Sequence, residues 1–387
     1  MPELPLGPWA KSLPPSSWGL TDREFLEERP RLSAFATPLL TLDRSALEHN
    51  VALMAAWSAT RGLQLAPHGK TTMAPQLWRQ LIDAGAWGIT LATGWQVQFA
   101  RSVGMRRILL ANELVDPSQL RWLGDELADP GFEFACWADS VAAVEAMEAA
   151  LGGAARPVDV IVELGHPGGR TGARGVDAAL EVAQAIAGAK HVRLAGVGGY
   201  EGSYAKARTP EGADAVRRYL DDIALVHSRL DWQERPIITA GGSAWFDLVD
   251  EVLGPLRDDA TVILRSGAYQ VHDSGFYAGI TPLASLRAAM HGWTRVLSVP
   301  EPGLAILDGG KRDFPYDEGM PSSPHGEVVK LNDQHAFLRT DSVGVGHRLR
   351  LGLSHPCTAF DKWRLIPVVD DADVDDPTVV DLVRTFF

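Results

Sequence analysis

Short apolar runs alternate along the chain with longer segments in which apolar residues recur at helical spacing. From Pro38 to Tyr269 the apolar runs predict nine β-strands. They are PLLTLD (38–43), LQLAPHGK (63–70), GITLAT (88–93), RILLANE (107–113), EFACWAD (133–139), VDVIVEL (158–164), LAGVGGYEG (194–202), PIITAGGS (236–243) and TVILRSGAY (261–269). The alanine- and leucine-rich segments between them predict helices. Strands and helices that alternate in this way form parallel βαβ units.

Nine strands are one more than a closed eight-stranded barrel holds. Counting from LQLAPHGK gives eight strands and leaves PLLTLD spare. After Tyr277 the helical spacing fades, and short β-like runs separated by turn signals follow, namely WTRVLSVP, LAILDGG, HGEVVKLN, HAFLRTD, HRLRLGLS and RLIPVVD. We therefore predict a TIM-like (β/α)8 barrel over residues 44–280 and a smaller C-terminal β domain over residues 281–387. Residues 1–43 would form an arm and a strand that pack on the β domain.

Polar residues cluster where the predicted barrel strands end. They are Lys70, Thr93, Asn112, Glu113, His166, Arg170, Tyr200, Glu201, Ser243 and Arg265. Active sites of such barrels lie at the carboxyl ends of the strands, often with a phosphate bound after strands seven and eight. Here those two loops read Gly241-Gly242-Ser243 and Ser266-Gly267-Ala268, and their small residues allow the backbone to approach a phosphate closely.

Composition narrows the class of protein. The 387 residues carry a net charge of −13, which argues against a nucleic-acid partner because no basic run is available to neutralise phosphates. The chain has two cysteines, Cys136 and Cys357, which are too few for a disulfide framework. We find no secretory signal and no apolar window long enough to span a bilayer. We expect a cytoplasmic protein with no membrane partner.

The stretch APHGKTTM (66–73) contains the letters GKT of a nucleotide-binding loop. That loop requires a glycine at position 64, where this chain has Gln64, so the match is partial. Two other interpretations of Lys70 stay open. It is either an ordinary surface lysine or, because an apolar strand precedes it, a partly desolvated amine whose lowered pKa lets it condense with a carbonyl.

Several motifs together resemble those of a known enzyme family. They are TPLLTLDRSALEHN (37–50), PHGKTTMAP (67–75), ELGHPGGRTG (163–172), GGYEGSY (198–204), TAGGSAWFD (239–247), LRSGAYQVHD (264–273), LDGGKRDF (307–314) and SHPCTAFDKWR (354–364). In this order they resemble the fold-type III pyridoxal-phosphate enzymes of the D-threonine aldolase and D-serine dehydratase branch, which are related to alanine racemase. The chain departs from that pattern at Thr72 and Met73, where close relatives show a histidine and a lysine.

The resemblance implies that pyridoxal 5'-phosphate (PLP) is bound covalently by Lys70, which also acts as the catalytic base. It further implies cofactor-binding residues around the phosphate and the ring, which are Thr93, Gln96, Arg170, Tyr200, Gly242, Ser243, Gly267 and Ala268. A homodimer is implied as well, with each β domain helping to close the barrel of the neighbouring subunit.

His355 and Cys357 form a His-x-Cys pair. By itself such a pair is weak evidence for a metal, and a buried histidine with an inert cysteine is the ordinary interpretation. The resemblance implies a catalytic metal here. A thiolate and an imidazole favour zinc, with manganese or magnesium as alternatives. His335 is a candidate acid or base, Asp361 a weaker one, and Cys136 is expected to be a core residue.

The resemblance leads us to expect a lyase that dehydrates D-3-hydroxyamino acids such as D-serine or D-threonine to a 2-oxo acid and ammonia. Cys357 favours this dehydratase reaction, because the aldolase branch tends to place a carboxylate at that position. Retro-aldol cleavage to glycine and an aldehyde is the main alternative. Racemisation is disfavoured, and a non-catalytic PLP-binding protein would leave the β domain unexplained.

Overall fold

The computed structural model describes residues 4–205 and 207–387, and the chain forms two compact units. One unit contains residues 55–70 and 81–267 and is called the barrel unit below. The other contains the chain up to Met54, residues 71–80 and residues 268–387, and is called the β unit. No helix in the described part of the chain is long and apolar enough to cross a bilayer.

The strands of both units follow in chain order. They are β1 (Leu39–Asp43), β2 (Gln64–Leu65), β3 (Ile89–Leu91), β4 (Arg107–Glu113), β5 (Glu133–Ala138), β6 (Val158–Gly165), β7 (Ala173–Arg174), β8 (Val192–Gly199), β9 (Ile237–Ala240), β10 (Thr261–Leu264), β11 (Met290–Glu301), β12 (Leu304–Leu307), β13 (Ser322–Ser323), β14 (Gly326–Leu331), β15 (Ala336–Arg339), β16 (Arg348–Gly352), β17 (Leu365–Val369) and β18 (Val379–Arg384).

The helices connect these strands. The α-helices are α1 (Asp22–Glu27), α2 (Arg44–Ala59), α3 (Pro75–Asp83), α4 (Gly94–Ser102), α5 (Pro117–Glu126), α6 (Val141–Ala150), α7 (Val176–Gly188), α8 (Pro210–Ser228), α9 (Phe246–Leu253) and α10 (Phe276–Ile280). Short 3-10 helices cover Pro15–Ser17, Leu32–Ala34, Gly69–Thr71, Glu201–Ser203, Gly254–Asp258, Pro356–Thr358 and Phe360–Lys362.

The barrel unit is a parallel sheet in the order β2-β10-β9-β8-β6-β5-β4-β3, with the short β7 beside β6. The two ends of this sheet meet through a parallel bridge between His68 and Thr90, where the Thr90 N–H donates to the Pro67 carbonyl at 2.9 Å. Eight parallel strands in the described chain thus form a nearly closed barrel. This confirms the predicted barrel, including its count from LQLAPHGK to TVILRSGAY.

Local sequence sets where the barrel helices begin. The Asp116 carboxylate accepts the N–H groups of Ser118 and Gln119, and Pro117 occupies the first turn of α5, where a missing N–H is harmless. The Ser140 hydroxyl caps α6 in the same way. These caps end each strand-to-helix loop at a defined residue, which keeps the loops at the carboxyl ends of the strands short.

Inward-facing side chains fill the lower part of the barrel. Leu109 and Ala111 of β4, Ala135 and Trp137 of β5, and Ile161 of β6 form one buried cluster. Successive side chains of a strand point to opposite faces, so residues two positions further along the same strands also face inward. The inward-facing residues that follow on these strands therefore lie closer to the carboxyl-end opening of the barrel.

The β unit is built on a mixed sheet in the order β12-β15-β14-β13-β16-β11-β1-β17-β18. The spare strand PLLTLD is β1, which pairs antiparallel with β11 (Leu39 opposite Trp293) and parallel with β17. The six β-like runs after Tyr277 all contain strands, whereas β13 and β18 were not predicted. A large apolar cluster on this sheet includes Trp293, Phe314 and Trp363.

Candidate active site

Lys70 lies five residues after the end of β2, in the 3-10 helix Gly69–Thr71, and is half-buried. The preceding His68 is held by its backbone, whose N–H donates to the Arg265 carbonyl at 3.1 Å. Burial lowers the pKa of His68 well below its usual value, and the positive charges of Lys70, Arg265 and Arg170 lower it further. At neutral pH a neutral imidazole therefore stands two residues before the lysine.

The loop after β10 passes very close to this segment. A Cβ atom at Gly267 would lie 2.7 Å from the backbone nitrogen of His68 and 2.8 Å from its carbonyl oxygen, so the position requires glycine. The Ser266 hydroxyl donates to the Gly241 carbonyl at 2.8 Å, which ties this loop to the loop after β9. Gly267 thus lies against the backbone of the segment that leads to Lys70.

The loop after β9 is organised by a buried carboxylate. Glu201, which is fully buried, accepts the N–H of Gly241 at 3.0 Å and that of Gly242 at 2.5 Å. Gly241 adopts a φ of 94°, a conformation that glycine reaches without strain. The predicted phosphate ligand Gly242 therefore has its N–H engaged by Glu201, and the half-buried Ser243 follows it in the same loop.

Arg170 and Tyr200, the predicted neighbours of the cofactor ring, lie together. The Arg170 guanidinium stands over the Tyr200 ring, 5.3 Å from its centroid. Thr93 and Gln96 instead make hydrogen bonds at the start of α4. The Thr93 hydroxyl accepts the Gln96 N–H at 3.3 Å, and the Gln96 side chain accepts the Ala92 N–H at 2.9 Å.

Several buried polar atoms of the barrel unit have no hydrogen-bond partner among residues 4–205 and 207–387. They are His68 Nδ1, Glu113 Oε1, Trp137 Nε1, Glu163 Oε2, His166 Nε2, Thr171 Oγ1, His227 Nδ1 and Arg265 Nε. Buried polar atoms normally have a partner, so a group of unsatisfied ones is expected where a polar ligand or water binds. The residues present in the barrel unit therefore fit a polar ring with a phosphate, such as PLP.

Three carboxyl groups meet inside the barrel. Glu113, Asp139 and Glu163 continue the inward-facing rows, and their oxygens lie within 4.8 Å of one another. Burial, followed by the neighbouring Glu113 carboxylate, raises the pKa of Glu163 to about 8, and burial also raises the pKa of Glu113. Glu163 therefore carries a proton at neutral pH. No role was predicted from the sequence for these three carboxyl groups. The alternation of inward-facing residues from Leu109, Ala135 and Ile161 along their strands nevertheless leads to them.

Arg265 is another residue to which the sequence analysis gave no role. It is 1% exposed, and it donates to the Thr239 hydroxyl at 2.7 Å and to the Gly199 carbonyl at 2.6 Å. Its guanidinium also stands over the Trp137 ring at 4.9 Å. Arg265 thus joins the ends of β8, β9 and β10 and brings a fixed positive charge into the barrel.

The His355–Cys357 pair lies in the β unit, at the start of the 3-10 helix Pro356–Thr358. Contact with the Cys357 side chain is the main cause that raises the pKa of His355 to about 9, so the ring and the sulfur are neighbours. The Thr71 hydroxyl lies 3.3 Å from Cys357 Sγ. His355 Nδ1 lies 2.6 Å from a carboxylate oxygen of Asp317. An imidazole and a thiol side by side, with the far ring nitrogen held by a carboxylate, fit a thiophilic divalent metal.

The other predicted residues of the β unit lie elsewhere in it. His335 is exposed in the turn between β14 and β15 and lines a shallow pocket with Lys311, Asn332, Asp333 and Gln334, which includes neither His355 nor Cys357. Ala268 is buried. Asp361 is exposed, 3.7 Å from Lys362 Nζ. Cys136 of the barrel unit is fully buried, as expected of a core residue.

Comparisons with known proteins identify the class. The model of the alanine racemase N-terminal domain matches residues 42–248, and a serine dehydratase domain model matches residues 289–369. Since the first match spans more than half of the chain, the chain belongs to the alanine racemase N-terminal domain family. This confirms the resemblance to the fold-type III enzymes.

The chain is also similar to individual proteins of known activity or structure. A D-threonine aldolase of Arthrobacter sp. is 29% identical over 360 residues, covering 89% of this chain and 92% of that enzyme. A D-threo-3-hydroxyaspartate dehydratase of Delftia sp. (strain HT23) is 26% identical over 361 residues, covering 83% and 90%. The solved structure of a D-threo-3-hydroxyaspartate dehydratase, a cysteine-to-alanine mutant in its metal-free form, superposes with a TM-score of 0.75 at 22% identity, covering 92% and 99%. These relatives are lyases, which supports an enzyme of that kind.

Proposed function

We propose that the protein is a PLP- and metal-dependent lyase that converts D-3-hydroxyamino acids, such as D-serine or D-threonine, to a 2-oxo acid and ammonia. The single observation that carries the dehydratase assignment is the side-by-side arrangement of His355 and Cys357 with Asp317 behind the imidazole. A thiolate at this position matches the dehydratase branch, and a solved dehydratase relative is a cysteine mutant in metal-free form.

In this proposal most of the residues that hold PLP belong to the barrel unit. Lys70 supplies the amine for covalent attachment, and Ser243 and Gly267 supply hydroxyl and N–H donors for the phosphate. Ala268 and Gly242 complete the predicted set, with the Gly242 loop held in shape by Glu201. Arg170 and Tyr200, which lie against each other, flank the ring. Thr93 and Gln96, at the start of α4, are expected to complete the set of residues around the cofactor.

The chemistry then follows from the residues. When bound, PLP supplies a sink for the electron pair left at Cα of the substrate. The Lys70 amine takes the proton from Cα, as a positioned general base. His355 and Cys357 would hold a metal, whose Lewis acidity would assist departure of the β-hydroxyl together with a proton as water. The resulting enamine takes up water and releases ammonia and the 2-oxo acid. Glu163, neutral at pH 7, is available as a hydrogen-bond donor inside the barrel.

The proposed reaction requires both Lys70 and the ligand pair His355 and Cys357. We further propose that the enzyme is a homodimer, as the family resemblance implies, and that His335 acts from the β domain as an acid or base.

Product analysis tests the reaction. The purified protein, supplied with PLP and zinc, is incubated with D-threonine, and the products are identified. 2-Oxobutyrate and ammonia support dehydration, whereas glycine and acetaldehyde support the aldolase. The aldolase is the second candidate because the Arthrobacter relative at 29% identity is a D-threonine aldolase. If no D-3-hydroxyamino acid yields either set of products, the lyase assignment is wrong and a non-catalytic PLP-binding protein is favoured.

The cofactor is tested separately. Borohydride reduction of the purified protein followed by peptide mapping should place the pyridoxyl label on Lys70. The Lys70→Ala variant should lose both the label and the absorbance band near the visible edge. Lys190, which is exposed on the barrel unit, provides the control, and Lys190→Ala should keep both. A label on another residue would contradict the assignment of Lys70.

A further inference from the structure

His355 has an unusual backbone conformation that a buried carboxylate maintains. Its φ is 57°, in the left-handed region that residues other than glycine seldom adopt. Its N–H donates to one oxygen of Asp273 at 2.8 Å, and the other oxygen of Asp273 accepts the N–H groups of Gly275 at 3.0 Å and Tyr277 at 2.8 Å. Asp273 is 0% exposed. Strained backbone of this kind persists where the surroundings hold it and is concentrated at functional sites.

The imidazole of His355 is held by a second carboxylate. One oxygen of Asp317 lies 2.6 Å from His355 Nδ1, and the other accepts the Thr358 hydroxyl at 2.6 Å. Because a carboxylate accepts, Nδ1 must carry the proton in this contact. The neutral ring then has its lone pair on Nε2, and Cys357 is the neighbour of the ring within the same short helix.

We propose that Asp317 is the positioning residue of this metal site, fixing the ring orientation and tautomer of His355 so that Nε2 and the Cys357 sulfur form the ligand pair. The inference rests on the metal site of the proposed function and adds a residue to it. Asp317 is not itself placed as a ligand, because both of its oxygens already accept hydrogen bonds from His355 and Thr358. Thr358 fixes the carboxylate, and the carboxylate fixes the ring.

This arrangement has a consequence for metal affinity. A carboxylate behind a ligating histidine raises the basicity of the ring and removes the cost of orienting it, and losing such a partner weakens metal binding by about 10- to 100-fold. Asp317→Asn keeps the size of the side chain but weakens the acceptor, so it should weaken binding by about that factor. Thr358→Val removes the hydroxyl that holds Asp317 and should produce a smaller loss in the same direction.

Cobalt(II) provides the test, since its complexes with thiolates absorb in the near ultraviolet. The full-length protein is stripped of metal with a chelator and titrated with cobalt(II), without substrate, and zinc affinity is then measured by competition with a chromophoric chelator. The wild type should bind one cobalt with a thiolate charge-transfer band, and Cys357→Ser should lose the band. Asp317→Asn should keep the band but bind about 10- to 100-fold more weakly. Asp341→Asn, at an exposed carboxylate of the β unit, should match the wild type.

The outcomes separate the two levels of the proposal. If the wild type binds cobalt with the thiolate band but Asp317→Asn binds equally well, the role of Asp317 is wrong and the metal site stands. If the wild type shows no such band, the metal site itself is wrong, and the inference fails with it. Thermal unfolding of the metal-free variants checks folding. In histidine-labelled protein loaded with zinc, the 15N shifts should report a protonated Nδ1 and a metal-bound Nε2 in the wild type, a signal that a merely structural aspartate would not control.

Discussion

Glu201 and Gly242 are joined by a 2.5 Å hydrogen bond from the glycine N–H to the buried carboxylate, and the Gly241 N–H donates to the same side chain at 3.0 Å. Glu201, the second residue after β8, therefore determines the shape of the loop after β9. Sequence analysis predicted that Gly242 binds a phosphate, but a glycine N–H that is already engaged contributes chiefly by holding the loop. We therefore expect Ser243 and Gly267, more than Gly242, to donate hydrogen bonds to the phosphate.

Removing the Glu201 carboxylate should destabilise the protein. Glu201→Ala leaves two backbone N–H groups without their charged acceptor, at about 1–3 kcal/mol for each buried donor. We expect the free energy of unfolding to fall by roughly 2–6 kcal/mol, with a smaller loss for Glu201→Gln, which keeps one acceptor. Urea unfolding measures the change. Glu181→Gln, on the exposed face of α7, is the control, and an Ala variant as stable as that control would contradict the role of Glu201.

Adding a single methyl group at Gly267 should disturb the segment before Lys70. The new Cβ would lie 2.7 Å from the His68 backbone nitrogen, and backbone atoms cannot rotate away as a flexible side chain would. We expect Gly267→Ala to lower stability by about 1–3 kcal/mol, the usual cost of overpacking, and to weaken PLP binding. Gly188→Ala meets no atom within 4 Å and should leave both unchanged. Calorimetry and PLP titration measure the two effects.

The raised pKa of Glu163 makes stability depend on pH. Its pKa rises from 4.5 to about 8 on folding, so between these values the folded state binds a proton that the unfolded state has released. The free energy of unfolding should therefore decrease as the pH rises from about 4.5 to about 8.

Glu163→Gln should remove that dependence. The amide stays neutral at every pH, so the variant should gain stability relative to the wild type at pH 8.5, by about 2–4 °C in Tm for each kcal/mol recovered. The difference should shrink at pH 5, where the wild-type carboxyl is neutral as well. Thermal unfolding at several pH values measures it, and parallel curves for the two proteins would show that Glu163 titrates normally.

Removing the metal should abolish the lyase reaction and leave the cofactor bound. Without a Lewis acid the β-hydroxyl is a poor leaving group, and we expect at least a hundredfold loss of rate, about 3 kcal/mol. Zinc should restore the wild type but not Cys357→Ser. The release of 2-oxo acid from D-serine measures the rate, and the absorbance band of the bound cofactor is the control. Full activity in chelator would exclude a catalytic role for the metal.

The barrel was predictable because each strand carries its own signal. LQLAPHGK and TVILRSGAY mark its first and last strands, and the excess run PLLTLD became β1 of the other sheet. Strand β18 was not predicted. It pairs with β17 across a turn rich in aspartate, and its own Asp381 and Arg384 interrupt the apolar alternation.

The candidate site was predictable as far as its residues lie within short motifs. Lys70, His355 and Cys357 each stand in such a motif. The contacts of Asp317 with His355 and of Glu201 with Gly241 join residues about 40 positions apart, and nothing in the local pattern indicates them. Thr93 and Gln96, which are predicted to bind the cofactor, also make hydrogen bonds at the start of α4 that the sequence pattern does not indicate.

The position of β1 in its sheet has a consequence for biosynthesis. Because β1 lies between β11 and β17, its two edges are paired by segments that the ribosome delivers some 250 and 320 residues later. During translation both edges of β1 stay unpaired while the barrel strands emerge, and those strands can associate among themselves. Loss of β1 would therefore leave β11 and β17 with unpaired edges inside the β sheet.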